Sequence, residues 1–389
     1  RALKAMRKSV VFGVFVCVAA IFALSSATNC GPTRSDAVQY HLDKFTAEGE
    51  ATIFAAYKDG NMIFQSSGPA TVDNVLRFGS ISKIFTGWTF LHHGGNKTDT
   101  PSMFGYPPSH YSGSDIINFG LIGGHQGGIP EFATTANLVL PDGSNWVNNG
   151  VFSTTIDVNI GWKNKPLEAL PGSQYCYCNT DAVLVGAVTK TITGKSVDKL
   201  VKDRFSVWFD DGTLPLNRFP NTPVYQNWRL PFPNGGYPPK LPDVAGSLIG
   251  TPRDLLESFD NITKTPEYQS MKEWLPRASE CMTGDQSGIA GGDKYGFFMQ
   301  NYNTTQIYGG PSTGHDGDIF VQSLVIDHPS GYKFLFHYTQ SFDPANGFNN
   351  NREKVRRMDV LVTAFLGSAD QYTGPAARRD AGEARILHM

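Results

Sequence analysis

The sequence predicts a fold of the α/β class in the α+β arrangement, with one antiparallel sheet flanked by helices and a mostly helical subdomain inserted into it. Strand-like runs lie near both ends of the chain, at residues 51–67 and within the last third. The middle is rich in Gly, Pro, Asn and Ser, and its periodicity is weak outside a helix-like stretch at 182–202. Strands at both ends around a helical, loop-rich middle favour a single sheet that the two ends of the chain close together.

The elements follow from local patterns along the chain. Residues 51–67 alternate around Lys58, Asp59 and Gly60, a pattern typical of a hairpin with a tight turn. Helices are predicted at 182–202, interrupted at Thr193 and Gly194, at 255–259 and at 352–366. Further strands are predicted at 295–299, 319–327 and 332–339, with a turn at 328–331.

These elements predict how the chain divides. Residues 37–87 together with 240–370 are expected to form the sheet subdomain, and residues 88–239 the helical and loop-rich insert. The polar tail at 374–389, rich in Ala and Arg, is expected to fray.

The composition is that of a folded chain without affinity for nucleic acid. Of its 389 residues 17% are charged and 12% are aromatic, which supports a large buried core. The formal net charge of −2 provides no basic field for a polyanion, so we expect no nucleic-acid partner.

The N-terminal region predicts export. Arg7 and Lys8 precede an apolar run at 10–24 and small residues at 25–27, the order of a secretory signal peptide cleaved after Ala27. The alternative is a membrane anchor, but the run is shorter than the roughly 20 residues that a spanning helix needs. We therefore expect a secreted protein, extracellular or periplasmic, that keeps no membrane span after signal cleavage.

Export gives meaning to the cysteines and to three sequons. Four cysteines remain after signal cleavage, and the sequence leaves their three fully paired connectivities open: Cys30, Cys176, Cys178 and Cys281. Asn-x-Thr sequons, which predict surface positions open to glycosylation, begin at Asn96, Asn261 and Asn303.

The main chemical pattern is a serine followed three residues later by a lysine. Ser80 and Lys83 would share one face of a helix, where a buried lysine of lowered pKa can take the proton of the serine. Backbone N–H groups at the start of a helix can also stabilise an oxyanion. The same spacing occurs at 196–199, where the serine is placed like a helix N-cap, and at 330–333, where it lies in a predicted turn.

The surroundings of Ser80 resemble a known family. Residues 77–86 (RFGSISKIFT) resemble the active-site segment of class C β-lactamases, serine D-Ala-D-Ala carboxypeptidases and related esterases. Tyr177 and Asn179 resemble the family's second motif, tyrosine-x-asparagine, and residues 314–317 (GHDG) resemble its third, Lys-Thr-Gly or His-x-Gly. Lesser landmarks of the family occur in the same order at 124–130, 245–254 and 295–297. The resemblance implies a β-lactamase/transpeptidase-like fold.

The resemblance also implies a role for each motif residue. Ser80 would be the nucleophile of a two-step acyl transfer, with Lys83 and Tyr177 sharing the removal and return of its proton. Asn179 would bind Lys83 or the substrate amide. No metal or organic cofactor is implied.

The third motif would form the opposite wall of the site. His315 would line this wall and support Tyr177 electrostatically. The backbone N–H groups of Ser80 and Asp318 would form the oxyanion hole, and Gly317 would be small because substrate backbone approaches it closely.

Other residues fit parts of these motifs. Residues 225–227 also read tyrosine-x-asparagine, but they lie in a proline-rich stretch without the Pro-Gly that precedes Tyr177. Three further histidines stand one or two positions before a glycine without the strand-like run that follows His315: His92, His93 and His125.

The departures from the family pattern bear on the substrate. Where relatives offer a lysine and a threonine to a substrate carboxylate, this sequence has His315 and Asp316, with Asp318 beside them, and each of the two acids would repel such a carboxylate by roughly 1 kcal/mol. This favours a neutral ester, an amide or an amine-bearing substrate over a β-lactam or a D-Ala-D-Ala peptide. Cys178 takes the middle place of the second motif, which is usually serine. A disulfide at Cys176 or Cys178 would brace the site, whereas oxidation of a free Cys178 could inactivate it.

The sequence thus predicts a secreted serine hydrolase that acts on a small-molecule ester or peptide. The competing hypothesis is a non-catalytic or slowly acylating protein on the same fold that binds peptides or cell-wall fragments. The complete set of Ser80, Lys83 and Tyr177 argues against it.

Overall fold

The computed structural model describes residues 33–106, 116–131, 167–211, 213–227, 243–276, 279–280, 294–302, 307–319, 321–339 and 347–367. The helices are α1 (Arg34–Phe45), α2 (Ser82–His92), α3 (Phe119–Gly123), α4 (Asn179–Thr193), α5 (Val197–Arg204), α6 (Pro223–Asn227), α7 (Pro252–Thr263), α8 (Pro266–Met271) and α9 (Gly347–Leu366). The strands are β1 (Thr52–Lys58), β2 (Asn61–Ser67), β3 (Leu76–Arg77), β4 (Gln174–Tyr175), β5 (Trp208–Phe209), β6 (Leu248–Gly250), β7 (Leu275–Pro276), β8 (Ser279–Glu280), β9 (Lys294–Tyr295), β10 (Gln300–Tyr302), β11 (Ser312–Ile319), β12 (Val321–Asp327) and β13 (Lys333–Tyr338). Short 3₁₀ helices lie at Pro101–Phe104, Leu216–Arg218 and Asp243–Ala245.

An eight-stranded sheet forms the centre of the fold, in the order β2-β1-β13-β12-β11-β10-β9-β7. All of its strand pairs are antiparallel. The first and last strands of the sequence are neighbours, since Thr52 of β1 lies opposite Tyr338 of β13. The predicted fold class, with a sheet that the two ends of the chain close together, is confirmed.

The first hairpin also forms as predicted. Strands β1 and β2 pair in register from Thr52 opposite Ser67 to Lys58 opposite Asn61. Asp59 and Gly60 form the turn with φ angles of 51° and 80°. Positive φ at both central positions is the geometry that matches the twist of the flanking strands.

Helices pack around this sheet as the sequence pattern requires. Helix α7 packs against β1 and β13 through its buried apolar face. It begins with a capping box in which the Thr251 and Asp254 side chains satisfy each other's main-chain N–H groups. Helices α2 and α4 pack against one another. Helix α4 ends at Thr193, and Gly194 after it, at a φ of 72°, breaks the long predicted helix where expected.

The strand predicted at 295–299 is wrong. Strand β9 ends at Tyr295, and the chain then turns before β10, with Phe298 at a φ of 52°. The N–H groups of Phe297 and Phe298 donate to Met271 and Gly123, at 2.9 and 2.8 Å, rather than to a neighbouring strand. Both aromatic rings are buried in the core, so a pattern of apolar residues marks a core turn here.

The strand predicted at 319–327 begins two residues too early. Ile319 is the last residue of β11 and lies opposite Val321 of β12, so the chain reverses between them. The apolar run alone cannot locate a reversal this tight, because both strands contribute apolar residues to it.

The chain divides into two compact units, one formed by Gln39–Thr363 and the other by Arg1–Val38 with Ala364–Met389. All the predicted site residues belong to the first unit. The division into a sheet subdomain and an insert stays a prediction, and the signal region and most of the tail lie outside the described residues. Among the helices that the structure describes, none combines the length and the apolar character needed to cross a bilayer.

Two of the three sequons can be placed. Asn96 and Asn261 are exposed, as expected of surface positions, whereas Asn303 lies outside the described residues.

Candidate active site

Ser80 lies where a strand gives way to a helix. Strand β3 leads through Gly79, at a φ of 55°, into the first turn of α2. The N–H of Lys83 donates to the Ser80 carbonyl at 3.0 Å, so the two side chains lie on the same side of this turn. The Ser82 hydroxyl fixes the turn by donating to the Gly79 carbonyl at 2.6 Å and accepting from the Leu248 N–H at 2.9 Å.

The Lys83 amine is buried and surrounded by acceptors. Its Nζ lies 2.8 Å from Ser80 Oγ, 2.7 Å from Asn179 Oδ1 and 2.8 Å from the Ala245 carbonyl oxygen. Burial lowers the pKa of Lys83 from 10.5 to about 7, against the opposing effect of nearby acids, chiefly Glu131. The amine is therefore neutral in a large fraction of molecules at neutral pH. Its two N–H groups then serve Asn179 and Ala245, and its lone pair faces Ser80.

The second motif joins this pair from helix α4. Asn179 is the first residue of α4, and its side chain is the one bonded to Lys83. The Tyr177 hydroxyl bonds Ser80, and the Lys83 Nζ lies 4.8 Å from the centre of the Tyr177 ring. Burial raises the pKa of Tyr177 well above its usual value, so the group stays a neutral phenol. The structure thus brings Ser80, Lys83, Tyr177 and Asn179 together.

His315 lies in the third motif on β11, close to Tyr177 but without a charge. The two ring centres are 6.3 Å apart. His315 Nδ1 donates to the Asp316 carbonyl at 2.5 Å, and Nε2 accepts from the Tyr295 hydroxyl at 2.7 Å. Burial lowers the pKa of His315 to about 4. His315 can therefore support Tyr177 only as a neutral ring, and not as the cation that an electrostatic role would favour.

Gly317 is small for a different reason from the one expected. A Cβ at this position would lie 1.9 Å from the Phe78 carbonyl oxygen and 3.2 Å from the Ser80 nitrogen. The chain segment that carries the nucleophile therefore occupies the space beside Gly317, where we expected substrate. A Cβ at Gly79 would likewise lie 2.8 Å from the Asp318 nitrogen.

This close contact brings the two expected oxyanion donors to one place. The Asp316 N–H points away from β12, because it donates to Gln300 Oε1 at 3.0 Å. Main-chain N–H groups alternate along a strand, so the Asp318 N–H points to the same side. That side faces Gly79 and Ser80, because the Asp318 nitrogen lies beside Gly79 and, among the described residues, β10 pairs with β11 no further than Gly314.

Asp316 of the third motif and Asp318 beside it are not the uncompensated charges assumed from the sequence. Lys354 of α9 lies between them, with its Nζ 2.8 Å from Asp316 Oδ2 and 2.9 Å from Asp318 Oδ2. The three groups together carry one negative charge instead of two. The predicted repulsion of a substrate carboxylate is corrected accordingly, because one lysine offsets half of the charge on which it rested.

Sequence reasoning assigned no role to Glu131, which is buried beside the site. Its carboxylate accepts a hydrogen bond from the Asn179 N–H, and it is the strongest acidic influence on the pKa of Lys83. Glu131 follows the predicted landmark at 124–130 directly, which is the one pattern that could have identified it.

A buried histidine–aspartate pair lies beneath the Tyr177 ring. His125 Nδ1 is 2.8 Å from Asp181 Oδ2 and 3.2 Å from the Cys178 nitrogen, and its ring centre is 4.5 Å from that of Tyr177. Because the Cys178 N–H donates to Nδ1, this atom is an acceptor, and Asp181 holds the proton between them. Burial lowers the pKa of His125 and raises that of Asp181, which agrees with a neutral pair.

The serines and the tyrosine of the competing motifs lie outside the site, whereas His125 lies beneath Tyr177. Ser196 caps α5, and its hydroxyl accepts from the Lys199 N–H at 3.3 Å. Ser330 lies in the turn between β12 and β13. Tyr225 is buried, with its hydroxyl 3.0 Å from the Arg77 nitrogen. Cys178 is a buried free thiol.

A sheet closed by both chain ends, with a serine–lysine pair where a helix begins beside it, defines the class of β-lactamase-fold hydrolases. The chain belongs to the Beta-lactamase family, whose model matches residues 157–356. The matched stretch contains Tyr177, Asn179 and the third motif, whereas Ser80 and Lys83 precede it. No curated protein matches the chain by sequence.

Solved structures share the fold at low identity. D-amino acid amidase from Ochrobactrum anthropi SV3 superposes with a TM-score of 0.62 at 17% identity, over 86% of this chain and 98% of that one. A D-stereospecific amidohydrolase from Streptomyces sp. gives 0.57 at 18% identity, over 81% and 97%. A beta-lactamase/D-alanine carboxypeptidase from Yersinia pestis gives 0.61 at 15% identity, over 84% and 98%.

Proposed function

We propose that the protein is a serine hydrolase that cleaves an ester or amide through an acyl-enzyme on Ser80. The observation that carries this proposal is the Lys83 amine, buried at a pKa of about 7 and 2.8 Å from Ser80 Oγ. A serine needs a neighbouring base to become a nucleophile, and this amine is neutral often enough at pH 7 to be that base.

The acylation step follows from the hydrogen bonds. Ser80 Oγ bonds to the carbonyl carbon of the substrate while its proton passes to the Lys83 lone pair. The carbonyl π electrons move to oxygen, where the N–H groups of Ser80 and Asp318 stabilise the negative charge. When the tetrahedral intermediate collapses, the leaving group takes a proton from the Tyr177 hydroxyl, and the Lys83 ammonium replaces that proton. A neutral phenol suits this transfer, because it can donate and be restored without holding charge.

Deacylation repeats the same steps with water as the nucleophile. Water gives its proton to the neutral Lys83, attacks the acyl carbon and releases the acid, and the proton returns to Ser80 Oγ. Asn179 and Ala245 hold the lysine in place through both steps, because their oxygens accept its other two N–H groups.

For the substrate we propose a neutral ester or an amide, including the amide of a D-amino acid. The fold neighbours named as D-amino acid amidase and D-stereospecific amidohydrolase support testing that class. Lys354 weakens the electrostatic argument against a carboxylate-bearing β-lactam, so the choice between these classes rests on the assay.

The test is turnover of p-nitrophenyl butyrate, D-phenylalanine p-nitroanilide and a chromogenic cephalosporin by the wild type and Ser80→Ala. We expect ester or anilide cleavage that Ser80→Ala reduces at least about 10³-fold. The matched control is Ser196→Ala, which removes the serine of the competing motif; it should cost about 1 kcal/mol of stability and leave turnover intact. Turnover that survives Ser80→Ala contradicts the proposal.

Mass spectrometry separates the hydrolase from the competing binding protein. A fluorophosphonate should add to Ser80 in the wild type and leave Ser80→Ala unmodified. Covalent labelling without turnover of any substrate would favour the slowly acylating alternative. Absence of both would favour a non-catalytic binding protein.

We also propose that the protein is exported and loses residues 1–27 on the way. The basic, apolar and small-residue order of this region supports the proposal. N-terminal sequencing of protein recovered outside the host cytoplasm should begin at Thr28, and an intact N-terminus on exported protein would contradict it.

A further inference from the structure

We propose that Lys354 is a positioning residue for the reaction on Ser80: it ties the Asp316–Asp318 stretch of β11 to helix α9 and offsets half of its negative charge, so that the Asp318 N–H stays aimed at the oxyanion. This inference rests on the proposed function and adds to it a residue outside the three family motifs.

The first observation is how Lys354 is held. Its side chain is only 1% exposed, and its Nζ bonds Asp316 Oδ2 at 2.8 Å and Asp318 Oδ2 at 2.9 Å. An ammonium buried this completely is stable only when it is paired. Burial alone would lower the pKa of Lys354, but Asp316 and Asp318 raise it above the ordinary value, so the lysine stays charged.

The second observation is what the pair holds in place. The Gln300 side chain of β10 also binds Asp316: its Nε2 donates to Asp316 Oδ1 at 2.7 Å, and its Oε1 accepts from the Asp316 N–H at 3.0 Å. Beyond Gly314, β11 has no pairing with β10 in the described part of the chain, although its other edge pairs with β12 as far as Ile319. Lys354 therefore supplies a second tie to this stretch, in addition to its pairing with β12.

The third observation is that this stretch touches the nucleophile segment. The space beside Gly317 is filled by main-chain atoms of Phe78 and Ser80, and that beside Gly79 by the Asp318 nitrogen. A small displacement of residues 316–318 would therefore move one oxyanion donor relative to the other. Displacements of about 1 Å at a reacting centre cost on the order of 10²-fold in rate.

The charge of Lys354 also affects the protonation of Lys83, the proposed base. Asp316 and Glu131 raise the pKa of Lys83. The other titratable groups that face the amine in the described part of the chain are uncharged at neutral pH, because burial lowers the pKa of the two histidines and raises that of the rest: His125, His315, Tyr177, Cys178 and Asp181. Without Lys354, the full charge of Asp316 and Asp318 would favour the protonated form of Lys83, and a smaller fraction of the enzyme would be active at pH 7.

The test compares Lys354→Met and Lys354→Arg with the wild type, using p-nitrophenyl butyrate from pH 5.5 to 9. We expect Lys354→Met to lower kcat about 10²-fold, to leave KM within a few fold and to move the acid limb of the profile to higher pH. Lys354→Arg keeps the charge and both ion pairs, so it should recover most of kcat and the wild-type limb.

The matched control is Lys333→Met. Lys333 at the start of β13 is another buried lysine held by two aspartates, with its Nζ 3.4 Å from Asp260 Oδ1 and 2.9 Å from Asp327 Oδ1. Its loss should lower the melting temperature in the same way as loss of Lys354. It should leave kcat and the acid limb unchanged, because none of these groups adjoins the site.

Asp316→Asn keeps the inference testable if Lys354→Met does not fold. Asp316 raises the pKa of Lys83, and its replacement leaves Lys354 paired with Asp318. Because one negative charge is removed, the acid limb should move to lower pH. The inference would be overturned if the acid limb of the pH–rate profile did not move in this variant. It would also be overturned if Lys354→Met folded and showed the wild-type kcat and the wild-type acid limb.

The rate of fluorophosphonate addition to Ser80, followed against pH by mass spectrometry in the same variants, separates this inference from the proposed function. It reports on Ser80 and its base without requiring turnover. Wild-type labelling and turnover with no response to Lys354→Met would refute the role of Lys354 alone. Loss of turnover in every form, with labelling that still follows the Lys354 variants, would refute only the hydrolase proposal.

Discussion

The acid limb of the pH–rate profile is the sharpest prediction from the site. The net lowering of the Lys83 pKa from 10.5 to about 7, in which burial outweighs the nearby acids, corresponds to about 5 kcal/mol against the ammonium form. If neutral Lys83 is the base, about one tenth of the enzyme is active at pH 6 and about nine tenths at pH 8. The kcat/KM for p-nitrophenyl butyrate should therefore rise about tenfold between these values.

Glu131→Gln tests whether the pKa of Lys83 sets the position of the acid limb. Glu131 and Lys83 both bond Asn179, so their charges lie close together. Two unit charges about 7 Å apart interact by about 2 kcal/mol at an effective dielectric constant of about 20. Removing this charge should lower the midpoint of the limb by about 1.5 pH units, and the ratio of kcat/KM at pH 6 to that at pH 8 should rise from about 0.1 to about 0.8.

A matched glutamate provides the control. Glu267 lies on α8, with its Oε1 3.0 Å from His92 Nδ1. It is not among the groups that shift the pKa of Lys83. Glu267→Gln should therefore reproduce the wild-type profile. A wild-type profile that is flat between pH 6 and pH 8, or a Glu131→Gln limb that moves to higher pH, would refute Lys83 as the base.

Three further substitutions test other parts of the site. Tyr177→Phe should lower kcat about 10²-fold without moving the acid limb, because the phenol is neutral throughout; a displaced limb in its pH profile would contradict this. Gly317→Ala should lower the free energy of unfolding by about 1–3 kcal/mol in denaturant titration and abolish turnover, because the new Cβ would lie 1.9 Å from a main-chain oxygen. Gly194→Ala is its control and should keep its activity, because the space beside Gly194, at a φ of 72°, is open. Asp181→Asn should change the free energy of unfolding at pH 7 by no more than about 1 kcal/mol, because the amide can donate to His125 as the protonated acid does. Asp210→Asn, which breaks the buried ion pair with Arg77, should by contrast lower it by about 3–5 kcal/mol.

Local patterns were sufficient for much of the fold and for the centre of the site. The β1–β2 hairpin follows from alternation around Asp59 and Gly60, and the end of α4 follows from Gly194. The spacing of Ser80 and Lys83 predicts their shared helix face. In each case the interacting atoms are close in sequence, so the pattern itself carries the information.

Contacts between distant residues were beyond such patterns. Lys354 follows Asp318 by 36 residues, and nothing in its helix indicates that its side chain points at two aspartates. The space beside Gly317 looked available for substrate because the opposing segment at Phe78 is remote in sequence. The turn at Phe298 was predicted as strand because buried turns and buried strands are both apolar.

The pairing of β1 with β13 has a consequence for how the protein is made. Thr52 must meet Tyr338 before the sheet is complete, so the strands that frame the site are separated by most of the chain during synthesis. Sheets closed by such distant pairs fold slowly, since the entropy of loop closure is lost before the contacts form. The β1–β2 hairpin must wait with its outer edge unpaired until β13 has been synthesised, which exposes it to pairing with other chains. The serine and the base could meet early, but the second oxyanion donor arrives only with β11, so the nascent chain would stay inactive until synthesis is nearly complete.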